Sequence, residues 1–206
     1  MPLFRSKAED KVRAAGFDPA RLPPGQYLTE KWPVLHAGDV ADVDPATWTL
    51  RIFGEVEEEV TLDYEQLRAL PAIEVTTDIH CVTRWSRFDA GFRGVHWSEL
   101  EKLCRPRPSG HFVIAHAEAG YTENVPIAAL REENALVAYE ADGEPLAAEH
   151  GGPVRLYVAP MYGYKSCKWL DTIELTKKVE PGYWEHYGYD VDGWVGRSNG
   201  RDDDAT

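Results

Sequence analysis

Strand-like runs outnumber helix-like ones along this chain, and the two do not alternate. TWTLRIFGEV (47–56), AIEVTTDI (72–79), HFVIAHAE (111–118), PVRLYVAP (153–160) and WLDTIELT (169–176) are rich in β-branched and aromatic residues. ALVAYEADGEPLA (135–147) carries a hairpin signal at Asp142-Gly143. Helix signals are fewer: a charged stretch within residues 1–22, TLDYEQLRALP (61–71), WSELEKLCR (97–105) and VPIAALREE (125–133). In the second, Asp63 and Gln66 have capping-box spacing and Pro71 is the stop. Ser98 and Glu101 have the same spacing in the third, and Pro126 stands at the first position of the fourth. A doubly wound sheet needs a regular strand–helix–strand rhythm, so the pattern predicts α+β: mixed β-sheets with short peripheral helices. No GxGxxG or Walker-type phosphate fingerprint is present.

Two segments fit neither class. Residues 23–46 hold four prolines and three turn-type Asp, and predict a long irregular arm that must lie on something. HCVTRWSRFDAGFRG, following the 72–79 strand, is expected to be a loop. The tail from residue 181 is rich in Trp, Tyr and Gly and ends in DDDAT. The expected divisions are an N-terminal helical extension (1–22), one main domain (23–190) and a C-terminal tail (191–206).

Charge narrows the functions. Twenty-two Lys+Arg against 35 Asp+Glu give a net charge of −13. That argues against coating nucleic acid, which needs a basic face, and against docking on an anionic membrane. Three cysteines without a CxxC pair give neither a disulfide scaffold nor a structural zinc signature. No apolar run is long enough to span a membrane, and the first residues lack the apolar core of a secretory signal and the paired arginines of a twin-arginine one. The expectation is a cytoplasmic protein, or a periplasmic one if a leader has been removed.

Three places can carry chemistry. Cys81 opens the loop containing Arg84, Trp85 and Arg87; cations favour the reactive, metal-binding thiolate, although a free Cys is also a small buried apolar residue. EHGGPVRLYVAPMYGYKSCKW (149–169) gathers His150, Arg155, Lys165, Ser166 and Lys168 beside Gly151, Gly152 and Gly163. In an acidic protein this set suits an anion such as phosphate; the plainer reading is a solvated loop between strands. His36, in KWPVLHAG, is either a ligand contact or a satisfied structural histidine.

HCVTRWS, YTENVP, ALVAYEADGEPLAAEHGGPVRL and YGYKSCKWL, in that order, resemble the oxidoreductase molybdopterin-binding domain of the sulfite oxidase superfamily. The likeness is closer to its small bacterial and methionine-sulfoxide-reductase-like members than to the animal enzyme. The resemblance spans roughly residues 23–190 and implies a sulfite-oxidase-like fold. It implies a molybdenum–molybdopterin cofactor in its mononucleotide-free form, with Cys81 as the one protein ligand to the metal beside the two dithiolene sulfurs. Arg84 and Trp85 would shape the substrate mouth with Tyr121 or Tyr162. His150 and Arg155 would contact the pterin and its phosphate, and Lys165, Ser166, Cys167 and Lys168 would close around the phosphate. Trp32 and His36 would lie over the pterin, with His80 and His116 as further contacts. The implied reaction is oxygen-atom transfer on a small sulfur- or nitrogen-oxo substrate. Val34 stands where sulfite oxidases carry a substrate arginine, and Val82-Thr83-Arg84-Trp85 replaces their Gly-Asn-Arg run, which opens a second reading: a non-catalytic module holding molybdopterin or another phospholigand. Neither a CxxCH motif nor the family's haem and dimerisation domains are found in this stretch, so electrons are expected to pass through a separate cytochrome- or quinone-linked partner. A third reading, a cofactor-free interaction domain, predicts a packed core with no cleft beside Cys81.

Overall fold

The computed structural model describes residues 7–118 and 120–197. The acidic end of the tail and the first residues of the N-terminal extension lie outside them. In chain order the elements are α1 (Lys7–Ala14), β1 (Tyr27–Leu28), β2 (Thr49–Gly54), β3 (Val60–Asp63), α2 (Tyr64–Ala69), β4 (Ala72–His80) and β5 (Trp85–His96). They continue with α3 (Trp97–Cys104), β6 (Phe112–Ala117), β7 (Thr122–Pro126), α4 (Ile127–Leu130), β8 (Ala135–Ala141), β9 (Glu144–Pro145), β10 (Arg155–Val158), β11 (Leu170–Thr176) and α5 (Tyr183–His186).

Two mixed sheets result. The first runs β1-β5-β8-β10, with β4 also on β5 and β9 on β8; the second runs β3-β2-β11-β6-β7. β1–β5 and β2–β11 are parallel, and the other pairs antiparallel. One apolar cluster joins the sheets through Leu50 and Ile52 of β2, Val137 of β8, Leu156 of β10 and Ile173 of β11. Burying each such side chain contributes about 1.5–3 kcal/mol. Residues next in sequence, Leu136 and Tyr157, belong to a second cluster on the opposite face of the first sheet, with Ile79, Trp85 and Phe92. This period of two gives the first sheet two covered faces, and all four residues of β10 are buried. The irregular arm covers the second face, where Trp32 packs on Phe92 at 5.6 Å, edge to face.

The expected α+β class and mixed sheets are present. Asp63 and Gln66 form the reciprocal cap of α2, and β8 and β9 are joined at Asp142-Gly143. Several local expectations need correction. The supposed loop after Cys81 is largely β5, twelve residues long, paired with both β4 and β8. Its charges sit on the less buried side: Arg87 donates to Asp142 at 2.6 Å and Arg93 lies 3.7 Å from Glu140. The N-cap of α3 is His96, whose Nδ1 accepts from the Ser98 N–H at 3.2 Å; Glu101 instead accepts from Trp97 Nε1 and Arg131. YTENVP is a strand, and α4 is a single turn with Pro126 as its N-cap rather than its first residue. The arm is not wholly irregular, because β1 within it pairs with Trp85 and Ser86.

The flanking segments pack on the sheets. Arg21 binds Asp78 and Asp89, and Phe17 meets Phe88 edge to face at 5.4 Å. At the other end Trp194 bridges Met161, and the Tyr162 N–H donates to the Gly193 carbonyl at 2.8 Å.

Candidate active site

Cys81 is presented by a tight β-hairpin. β4 ends at His80 and β5 begins at Trp85, leaving four residues to make the turn, and His80 pairs with Ser86 across it. The Cys81 N–H donates to the Trp85 carbonyl at 2.9 Å, and the Arg84 N–H returns to the Cys81 carbonyl at 2.9 Å. Arg84 takes φ +77°, the left-handed turn conformation. Gln26, from the arm, clamps the hairpin: its Nε2 donates to the Cys81 carbonyl at 3.2 Å and its Oε1 accepts from Ser86 Oγ at 2.5 Å. The thiol is half-buried, with Sγ 3.2 Å from Thr83 Oγ1.

A cleft of about 350 Å³ opens beside it. Its wall brings together Cys81 and Trp85 from the hairpin, Trp32 and His36 from the arm, and Arg155, Ser166 and Lys168 from β10 and the turn after it. Segments more than 40 residues apart in sequence thus meet where the resemblance requires, and the packed, cofactor-free reading loses its main expectation.

Arg155 is buried with a charge that no carboxylate among the described residues balances. Nη1 donates to the His150 carbonyl at 2.7 Å and Nη2 to the Ser166 carbonyl at 3.1 Å, while Nε has no partner. Burial pulls its value down to about 10. A buried cation held only by carbonyls is costly unless an anion joins it. Lys168 Nζ donates to the Leu35 and Glu149 carbonyls at 3.1 and 2.8 Å and lies 3.2 Å from His36 Nδ1, so it ties the arm to the β10 side of the cleft. Burial, then Arg155, brings Lys168 down to about 7. His150 stacks on Trp32 at 3.9 Å and 7°, and burial followed by Lys168 lowers it to about 4. His36 is also lowered, by burial and then by Lys168. As a neutral ring accepting at Nδ1, it keeps an N–H at Nε2.

Six buried side-chain nitrogen or oxygen atoms lack a partner among the described residues. Three belong to cleft residues: His36 Nε2, Trp85 Nε1 and Arg155 Nε. Two more, His150 Nδ1 and Arg87 Nη1, belong to residues packed on Trp32. Buried polar atoms are ordinarily satisfied, so this concentration fits an anionic ligand rich in heteroatoms. The donor set also fits a metal that arrives with its own ligands: among the described residues no three His, Cys, Asp or Glu form a cage, while the Cys81 sulfur lines the cleft.

Other expected residues stand elsewhere. Arg84 is exposed and does not line the cleft, because its left-handed turn carries it outward. His80 is turned to Ser86 Oγ, 2.9 Å away, and burial lowers it. His116 is on β6 in the second sheet, 3.2 Å from Glu174. Cys167 points into the core between the sheets, where burial pushes its thiol well up. Lys165 is fully buried against Glu123 and Glu185, an internal ion cluster rather than a free anion ligand. Gly151 and Gly152 serve chain packing: a Cβ on the first would stand 2.7 Å from Lys168 Cβ, and one on the second 2.0 Å from the Leu146 carbonyl.

Sequence reasoning missed the aromatic wall formed by Tyr183, Trp184 and Tyr189, in which Trp184 stacks on Tyr189 at 5.1 Å. The tail's aromatic richness was its signal. The buried Glu123–Lys165–Glu185 cluster was missed too, since no spacing connects its members.

Residues 37–184 match the family described as oxidoreductase molybdopterin binding domain. The uncharacterized oxidoreductase YuiH of Bacillus subtilis (strain 168) is 41% identical over 174 residues, covering 84% of this chain and 88% of that protein. The protein-methionine-sulfoxide reductase catalytic subunit MsrP of Gluconobacter oxydans (strain 621H) is 32% identical over 173 residues, covering 75% of this chain and 55% of that one. The sulfane dehydrogenase SoxCD of Paracoccus pantotrophus shares the fold, with TM-score 0.64 and 20% identity over 76% of this chain and 47% of its own. The chain therefore belongs to the oxidoreductase molybdopterin-binding domain family of the sulfite oxidase superfamily. It is an enzyme of the oxidoreductase class, with a sulfite-oxidase-like fold. No helix among the described residues is long and apolar enough to cross a membrane.

Proposed function

We propose that the chain holds a mononucleotide-free molybdenum–molybdopterin cofactor and catalyses oxygen-atom transfer, in the direction that reduces a small organic S-oxide or N-oxide. The observation that carries this reading is one cleft lined by both the Cys81 thiol and the unbalanced Arg155 cation. Cys81 supplies the metal's protein ligand. Arg155, Lys168 and Ser166 take the cofactor's phosphate, and Trp32, His36 and His150 contact the pterin. When bound, the cofactor supplies a two-electron metal couple, Mo(VI)/Mo(IV), that accepts or releases one oxygen atom; the protein provides ligation, orientation and charge.

Two features favour an oxide over sulfite. The arm presents exposed Val34 where a substrate arginine is expected, so no cation stands at that position to meet a small anion. The cleft also carries Tyr121, Trp184 and Tyr189, and aromatic rings attract the sulfur of an organic sulfide or its oxide. Electrons enter from a separate cytochrome- or quinone-linked carrier protein. The test is protein made in a host that synthesises the cofactor, assayed with reduced artificial donors against methionine sulfoxide and trimethylamine N-oxide, and with oxidants against sulfite. Turnover of an oxide supports the proposal. Silence across all three substrates with molybdenum bound would leave a cofactor-holding module.

Cofactor retention should depend on pH in a defined sense. Lys168 titrates at about 7 in the free site, and a neighbouring phosphate raises that value. Binding then takes up a proton once the pH exceeds about 7, so affinity falls by up to about tenfold per pH unit above that value. Fluorescence of pterin retained after gel filtration at stepped pH values checks this; Lys168→Met should flatten the profile.

A further inference from the structure

Behind the cleft wall, three charged side chains are packed away from solvent. Lys165 Nζ lies 3.1 Å from Glu123 Oε1, touches Glu185 Oε1, and donates to the Asn124 carbonyl at 3.0 Å. Glu185 Oε2 accepts the Gly182 N–H. Two carboxylates thus face one ammonium. A net buried negative charge is expensive, and one proton removes it.

Hydrogen counting places that proton. The Tyr121 oxygen is 2.8 Å from the Tyr164 carbonyl and 2.9 Å from Glu123 Oε2. The phenol has one hydrogen and faces two oxygens, the Tyr164 carbonyl and Glu123 Oε2, so it can serve only one of them. A proton on Glu123 Oε2 satisfies both contacts: the phenol donates to the carbonyl and accepts from Glu123. Oε1 is the accepting oxygen, taking the Asn124 N–H at 3.1 Å as well as Lys165. Tyr121 itself lines the cleft.

We propose that Glu123 is a protonated carboxyl at neutral pH and feeds its proton through Tyr121 to the oxygen of a substrate in the cleft. The delivery step rests on the oxide-reduction reading above. Converting an S-oxide to sulfide and water consumes two electrons, supplied by the reduced carrier, and two protons. The Tyr121 hydroxyl turns from the Tyr164 carbonyl, and its O–H bond breaks toward the substrate oxygen. The Glu123 Oε2–H bond then breaks to restore the phenol, and Glu123 is left as a carboxylate paired with Lys165. The second proton, and the one that reloads Glu123, come from solvent. Glu123 is in this sense a positioning residue that acts through Tyr121.

The groups facing Glu123 suit this role. They are Tyr121 before β7, Tyr164 and Lys165 in the turn Gly163–Lys165, Cys167 beyond it, and Glu185 of α5. Burial pushes Glu123 up to about 8; Lys165 opposes that rise and Glu185 adds to it. Tyr121, Tyr164 and Cys167 are all raised by burial and stay neutral.

Infrared spectroscopy of the full chain tests the proton without requiring turnover. Wild type should show a protonated-carboxyl C=O stretch at neutral pH that fades with a midpoint near 8 and is missing in Glu123→Gln. Absence of the band at neutral pH, or its survival in the variant, overturns the proposal. Gln is the same size and can still donate to Tyr121, and near-UV circular dichroism confirms its folding. In the cofactor-loaded protein, Glu123→Gln should lower kcat by about 10²-fold at unchanged KM, within the range of a lost proton-transfer group, with partial recovery in Glu123→Asp. Tyr121→Phe should keep the infrared band and lose kcat. A wild-type kcat and pH profile in Glu123→Gln, with the band present, overturns the delivery step while oxide reduction stands. A loaded wild type that reduces no oxide, with the band present, overturns the functional reading and the delivery step with it, and leaves only the proton's location standing.

Discussion

Cys81→Ser will yield a folded chain that has lost turnover. The side chain sits half-buried in a four-residue turn held by backbone hydrogen bonds, and among the described residues its Sγ touches only Thr83 Oγ1 at hydrogen-bonding range. Cys81 packs partly against the second apolar cluster, and an oxygen of similar shape there should cost about 1 kcal/mol or less. Activity should fall by more than the ~10–100-fold typical of losing a ligand's outer partner, because on the proposed reading the ligand itself is removed. Steady-state kinetics with methionine sulfoxide and a thermal melt, run on the same preparations, check both halves. A large drop in melting temperature would instead mark Cys81 as a packing residue.

Lys165→Met will be the most destabilising single change near the site. It leaves the buried Glu123–Glu185 pair without its cation, a situation that costs about 3–5 kcal/mol when one partner of a buried pair is removed. The loss should also loosen α5, which Glu185 anchors, and with it the aromatic wall from Tyr183 to Tyr189. The pH dependence follows from Glu123, whose folded value is raised by burial to about 8. Stability from the folded state's tighter hold on that proton is complete below the ordinary carboxylate range and is lost as pH rises through about 8. Without Lys165 the value rises further, so the variant's deficit should be largest in alkali and shrink in mild acid. Urea melts at about pH 5.5 and about pH 8.5 measure this, since linkage makes the difference between them the signal.

Most of the fold was legible because its strands follow a period of two against two covered faces. Leu156 and Tyr157, neighbours in β10, serve different cores, and the β-rich composition of PVRLYVAP reports that burial. The Asp63–Gln66 cap and the Asp142-Gly143 turn were legible because their chemistry is local. β5 was not. Its charges and glycines imitate a loop, yet Arg87 finds Asp142 across the sheet, and a Cβ at Gly94 would stand 2.2 Å from the Val137 carbonyl where the β5–β8 register shifts. In the site, the basic cluster near Arg155 stood out against a chain of charge −13. What that contrast could not do was separate Lys168, which faces the cleft, from Lys165 three residues earlier, which is consumed by Glu123 and Glu185. That distinction depends on where β7 and α5 bring their carboxylates, and no local pattern encodes it.

X-ray absorption at the molybdenum edge, on protein loaded in a cofactor-producing host, asks whether the cleft's thiol grips the metal. Wild type should show three sulfur neighbours, two from the dithiolene and one from Cys81, and Cys81→Ser should show two. An equal sulfur count in both proteins would contradict the assignment of Cys81, and a chain that takes up no molybdenum would contradict the cofactor site itself.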